Sequence, residues 1–105
     1  MLEAVSNFAE QVSASTGNVF VKFLATWCGP CKSLTPIVDE LQKKNPSVKF
    51  FQVDVDVDKN HDLVQQFGLK GVPAVIIFKN GEETDRIVGL KDESFYQAFL
   101  NSCSV

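Results

Sequence analysis

Two cysteines separated by a Gly-Pro dipeptide, Cys28-Gly29-Pro30-Cys31, are the residues of this chain best suited to covalent chemistry. At that spacing two sulfurs can close a small disulfide ring or stand open as a dithiol. The segment follows a strand-like run, Val19 to Ala25, and opens a helix-like pattern. The first turn of a helix offers unpaired N–H groups and the positive end of the dipole, and both favour a thiolate on Cys28. A thiolate is the nucleophile of disulfide exchange. Cys31, one turn further on, is placed to attack the mixed disulfide and release the product. Pro30 fixes the backbone between them and supports the helix start. Other uses of the motif fit less well. Zinc takes four ligands, and only the isolated His61 and Cys103 remain as soft donors, so no metal is expected. A purely structural disulfide across so tight a loop would constrain little of the unfolded chain.

The elements that must position this pair alternate along the chain. Asn7 and Glu10 fit a capping box for a first helix with Val5, Phe8, Ala9 and Val12 at helical spacing, broken at Thr16-Gly17-Asn18. Val19 to Ala25 is β-branched and aromatic, the pattern of a buried strand. Leu34, Ile37, Val38 and Leu41 form the apolar face of the helix that begins in the cysteine turn. Pro36 should kink that helix and Asn45-Pro46 should end it. Val48 to Val55 reads as a strand, and a short helix with Leu63, Val64 and Phe67 stops at Gly68. Ala74 to Phe78 is a fully apolar strand, joined by an Asn80-Gly81 hairpin turn to an antiparallel partner, Thr84 to Val88. Asp92 should cap a last helix with Phe95, Ala98 and Phe99 on one face. The order βαβαβαββα implies an α/β fold, with a central sheet covered by helices on both faces.

Composition bounds the rest. The 105 residues fit one domain, 1–105, with no room for a second. Hydrophobic residues at 45% and charged residues at 22% suit a globular chain that can bury a core without staples. A net charge of -3 with no basic run argues against a nucleic-acid partner. No apolar stretch has the length of a membrane span, and the N-terminus lacks the pattern of a signal peptide. A cytoplasmic location is the expectation. The glycines lack the spacing of a phosphate-binding loop, so no bound cofactor is expected.

Trp27-Cys28-Gly29-Pro30-Cys31-Lys32, Pro36, Gly71-Val72-Pro73, Lys79-Asn80-Gly81 and Val88-Gly89 together resemble the thioredoxin family along essentially the whole chain. The resemblance implies that family's fold, a central mixed sheet flanked by helices. It gives Cys28 the attacking role and Cys31 the resolving one. It places Trp27, Gly29, Pro30, Gly71, Val72, Pro73 and Gly89 on a shallow substrate-docking surface. Pro73 would follow a cis peptide bond, and the backbone of Val72 would pair with an extended substrate segment. The implied activity is reduction of disulfides in other proteins, with NADPH acting indirectly through a thioredoxin reductase. The same fold could instead serve an oxidase or isomerase, or a binding subunit.

Lys22 departs from the family pattern. It lies mid-strand where the family usually has a buried aspartate that helps move the proton of the resolving cysteine. Asp54 falls where some members carry a lysine, so Lys22 and Asp54 are candidates for a charge-reversed pair that tunes the dithiol. The alternative is a Lys22 that carries its amine to solvent along its own stem and touches no carboxylate. Asp54, Asp56 and Asp58 do not make a calcium loop, because Lys59 and Gln65 stand where Gly and Glu would be needed. Asp58 is a candidate cap for the helix that follows. Cys103 lies in a tail and is a candidate regulatory thiol, able to link two copies of an otherwise monomeric chain.

Overall fold

The computed structural model describes residues 3, 4, 12, 14, 16–56 and 60–103, with the side chains of 3, 4, 102 and 103 excepted. Its elements run β1 (Glu3–Ala4), β2 (Asn18–Leu24), α1 (Gly29–Lys44), β3 (Lys49–Asp54), α2 (His61–Phe67), β4 (Ala74–Lys79), β5 (Glu82–Val88) and α3 (Glu93–Cys103). The helix expected over Val5 to Val12 and the capping role of Asp58 fall on residues that lie outside the described ones, apart from Val12, which is buried.

One mixed sheet has the strand order β1-β3-β2-β4-β5. β3 runs parallel to both β1 and β2, while β2–β4 and β4–β5 are antiparallel. Central strands are covered on both faces, and β2 and β4 are buried along nearly their whole length, with Lys22 the charged residue among those buried positions. From β2, Phe20 joins a core with Leu34, Val38 and Leu41 of α1 and with Tyr96 and Leu100 of α3. Its alternate residues Val19, Val21 and Phe23 join a second core on the opposite face, where Leu63 and Phe67 of α2 pack. Helices therefore cover both faces, as the alternating pattern predicts.

Local signals explain the boundaries. Pro30 lies in the first turn of α1, Pro36 is carried inside it, and Asn45 ends it. Gly68 closes α2 in the left-handed region at φ 59°, where glycine has no side-chain clash. Asn80 and Gly81 both have positive φ, at 52° and 84°, the geometry of a tight two-residue hairpin. The Asn80 N–H donates to the Gly17 carbonyl at 3.0 Å, and its side-chain oxygen accepts the Gly17 N–H at 2.8 Å. This clamp ties the hairpin turn to the start of β2.

Asp92 caps α3 by accepting the Phe95 N–H at 3.0 Å. The inward face of α3 differs in part from the expected one, since of the expected residues only Phe99 packs against the core. Tyr96 and Leu100 are fully buried, whereas Phe95 is 41% exposed and Ala98 is exposed. The hydroxyl of Tyr96 decides the rotation. It donates to the Gly89 carbonyl and accepts the Lys91 N–H, so the ring turns inward with its polar end satisfied.

Candidate functional site

β2 ends at Leu24, and the chain crosses Ala25 to Trp27 before α1 begins, which sets Cys28 at the N-cap. The two sulfurs are joined as a disulfide, with the Cα atoms 5.3 Å apart. Burial does not distinguish the cysteines, at 4% exposed for Cys28 and 3% for Cys31. Hydrogen bonding does. The Cys31 N–H donates to the sulfur of Cys28 at 3.1 Å. A helix N-terminus thus aims a donor and its dipole at Cys28, and both stabilise negative charge there when the disulfide opens.

The loop before β4 reaches this pair. The Val72–Pro73 peptide bond is cis. Val72 packs, with Leu24 and Val55, against the cluster of Ala25, Cys28 and Cys31. The Gly89 N–H donates to the Pro73 carbonyl at 2.9 Å, and Gly89 has φ 92°, a conformation that disfavours any side chain. Trp27 is 72% exposed beside the disulfide, and Gly29 and Pro30 are exposed at the start of α1. Trp27, Gly71 and Val72 border a hollow of about 180 Å³ together with Val55, Val64, Leu69 and Lys70. The residues named from the sequence around the dithiol are therefore brought together. Val55, Val64, Leu69 and Lys70 were missed, because three single apolar residues and one lysine, spread over a turn, a short helix and a loop, carry no sign of which cavity they border.

Lys22 corrects an expectation. Its residue is only 2% exposed, and on β2 it faces α1, as Phe20 does. Its amine donates to the Thr35 hydroxyl of α1 at 3.0 Å. The pair with Asp54 does not form. The Asp54 carboxylate accepts the Asp56 N–H at 2.9 Å, in a local turn at the end of β3. In the parallel register Lys22 lies opposite Gln52, while Asp54 lies opposite Leu24, so the two charges are offset along the strands. The solvent-seeking alternative holds only in part: among the described residues the amine pairs with no carboxylate and it borders an open cavity, but the residue is buried and Thr35 holds its amine. Burial pushes the Lys22 amine below the ordinary lysine value, and the Asp39 carboxylate raises it part of the way back. Cys103 ends α3, and its side chain lies outside the described ones. Among the described residues, no group of three His, Cys, Asp or Glu could hold a metal ion, and no helix is long and apolar enough to cross a membrane.

Known proteins resemble this chain in sequence and fold. A family model described as Thioredoxin matches residues 1–102. The thioredoxin of Chlamydia muridarum is 42% identical over 95 residues, 89% of this chain and 89% of that protein. A thioredoxin H-type of Fagopyrum esculentum is 45% identical over 85 residues, 80% of this chain and 72% of its own. A solved mutant thioredoxin from Halobacterium salinarum superposes with a TM-score of 0.84 at 30% identity, covering 99% of this chain and 88% of that one. A family match across nearly the whole length, joined to a cysteine pair at disulfide distance on a helix N-terminus, makes this chain a member of the thioredoxin family and a thiol–disulfide oxidoreductase.

Proposed function

We propose that the chain reduces disulfides in other proteins in the cytoplasm, and that an NADPH-dependent thioredoxin reductase restores its dithiol. The observation that carries this reading is the N-cap position of Cys28, whose sulfur accepts the Cys31 N–H. In the reduced state that donor stabilises a Cys28 thiolate, which attacks one sulfur of the substrate disulfide. The other substrate sulfur leaves as a thiolate. Cys31 then loses its proton and attacks Cys28, the mixed disulfide breaks, and the Cys28–Cys31 bond forms. One substrate disulfide is reduced to two thiols as the protein dithiol is oxidised. Trp27, Gly71, Val72, Pro73 and Gly89 are the docking surface in this scheme, with an extended substrate segment laid along Val72. NADPH enters through the reductase and needs no site on this chain.

The test is NADPH consumption with a thioredoxin reductase and insulin as the disulfide substrate. Turnover that is lost in Cys28→Ser supports the reading. A chain that is not turned over, with Cys28 still open to alkylation, would overturn it. The buried cation Lys22 favours a second reading, an oxidase-like poise, because positive charge stabilises thiolates and hence the reduced form. The reduction potential separates the two.

A further inference from the structure

Beside Cys31, separate from the hollow that Trp27 borders, lies an open cavity of about 300 Å³. Lys22, Thr26, Cys31, Lys32, Thr35 and Gln52 border it. Thr26, Lys32 and Thr35 are exposed at its rim, so solvent reaches it, while Lys22 and Cys31 form its buried wall. Thr35 bridges that wall. Its hydroxyl accepts from the Lys22 amine at 3.0 Å and donates to the Cys31 carbonyl at 3.4 Å. Thr35 lies four residues after Cys31 and four before Asp39 on α1, so the three share one stripe of the helix above Lys22.

We propose that Thr35 is a positioning residue, which holds the Lys22 ammonium against the cavity beside Cys31 so that the resolving thiol ionises against a fixed cation. The inference rests on the reading of Cys28 and Cys31 as attacking and resolving cysteines, and it concerns the second exchange. There the Cys31 thiol releases its proton to solvent at the cavity mouth. The thiolate attacks the Cys28 sulfur, the bond from Cys28 to the substrate sulfur breaks, and the departing thiolate takes a proton from solvent. Lys22 neither gives nor takes the proton in this step. It lowers the energy of the charge that the step must create. The charged and titratable groups that face Cys31 are Lys22 from β2, Cys28 at the N-cap of α1, Lys32 from α1, and Asp39, which acts through Lys22. β3 contributes the neutral Gln52.

Two features separate this arrangement from an incidental buried lysine. The amine is anchored to the same helical turn that carries the thiol, so the distance between charge and sulfur is set by α1 itself. The cavity also gives the released proton an exit, which a closed core would not.

The experiment uses Cys28→Ser with Cys103→Ser, which leaves Cys31 as the only thiol, and follows thiolate absorbance against pH. An opposite charge at close range moves a titration by about one to three units. Lys22→Met should therefore raise the Cys31 midpoint by about one unit or more. Thr35→Val should raise it by a smaller amount, and Thr35→Ser, which keeps the hydroxyl, should restore it. Lys22→Gln is the substitute if the methionine variant does not fold. A folded Lys22 variant with an unchanged midpoint overturns the proposal. So does a Thr35→Val midpoint equal to that of the unsubstituted residue, since Thr35 would then position nothing. Insulin turnover by the full chain is read separately. Its absence defeats the reductase reading and leaves the Cys31 titration to stand or fall alone.

Discussion

Replacing Lys22 with methionine should make the oxidised protein more stable. The ammonium sits in a residue only 2% exposed, on the wall of a cavity open at its rim, and holding a charge there still costs about 3 kcal/mol after relaxation and water entry. Two attractions offset that cost. The hydrogen bond to Thr35 contributes about 1.5 kcal/mol at the low end for a charged donor. The attraction of Asp39, which is half-buried, adds less than about 1 kcal/mol. Methionine is unbranched and apolar like the lysine stem, so the space that stem fills stays filled. Thr35 keeps the Cys31 carbonyl as an acceptor, so its hydroxyl is not left without a partner. The remainder favours methionine by roughly 1 kcal/mol, or about 4 °C in Tm for a domain of this size.

The pH dependence adds a second check. Because burial lowers the Lys22 value in the folded state, the unfolded chain binds more protons between that lowered value and the ordinary lysine value of about 10.4. Stability of the native sequence therefore rises with pH across that window, and the advantage of Lys22→Met shrinks there. Urea unfolding of the oxidised proteins at pH 7, and again near pH 10, measures both effects. A variant less stable by about 1 kcal/mol at pH 7, or a difference that does not change with pH, would refute the assumption that desolvation outweighs the bond to Thr35.

Three further outcomes are expected. Tyr96→Phe should lose about 1–2 kcal/mol at pH 7, because the Gly89 carbonyl and the Lys91 N–H lose their shared partner. Burial raises the Tyr96 value, so its contribution is whole below about pH 10 and fades as pH climbs through the raised value, a decline that alkaline unfolding of Tyr96→Phe should lack. Asp92→Ala should lower stability by about 1 kcal/mol in urea unfolding through loss of the α3 cap, with insulin turnover unchanged. Trp27→Ala should leave stability within about 0.5 kcal/mol, since the ring is exposed, and should reduce kcat/KM for insulin roughly tenfold. A small symmetrical disulfide, which needs no docking surface, should be reduced at the native rate.

The hairpin was readable from Asn80-Gly81 because only a few residues accept positive φ at both turn positions. The dithiol was readable because a CxxC between a strand and a helix fixes the placement of both sulfurs in advance. The inward face of α3 was harder to read. Phe95 and Phe99 make one apolar stripe and Tyr96 and Leu100 make another, each at a spacing of four. Periodicity cannot choose between them, and the choice falls to a tyrosine hydroxyl that finds its partners in a loop. The Lys22 partner was hidden for a similar reason. A lysine stem reaches neighbours above the sheet as readily as along it, and Thr35 carries no charge to advertise itself.

The clamp between Gly17 and Asn80 has a consequence for how the chain tolerates change. Turn tips at the surface usually accept inserted residues freely. Here the tip is tied to the first residues of β2, while the cysteines follow the last residues of that strand and the Pro73 loop precedes β4. The clamp sits one strand length away from the sulfurs, about 20 Å at the usual rise per residue. It acts as an alignment gauge, setting how far β2 and β4 slide past one another and hence how the dithiol meets its docking loop. An insertion at Asn80-Gly81 would leave every residue of the redox centre in place in the sequence and still put the two halves of the centre out of step.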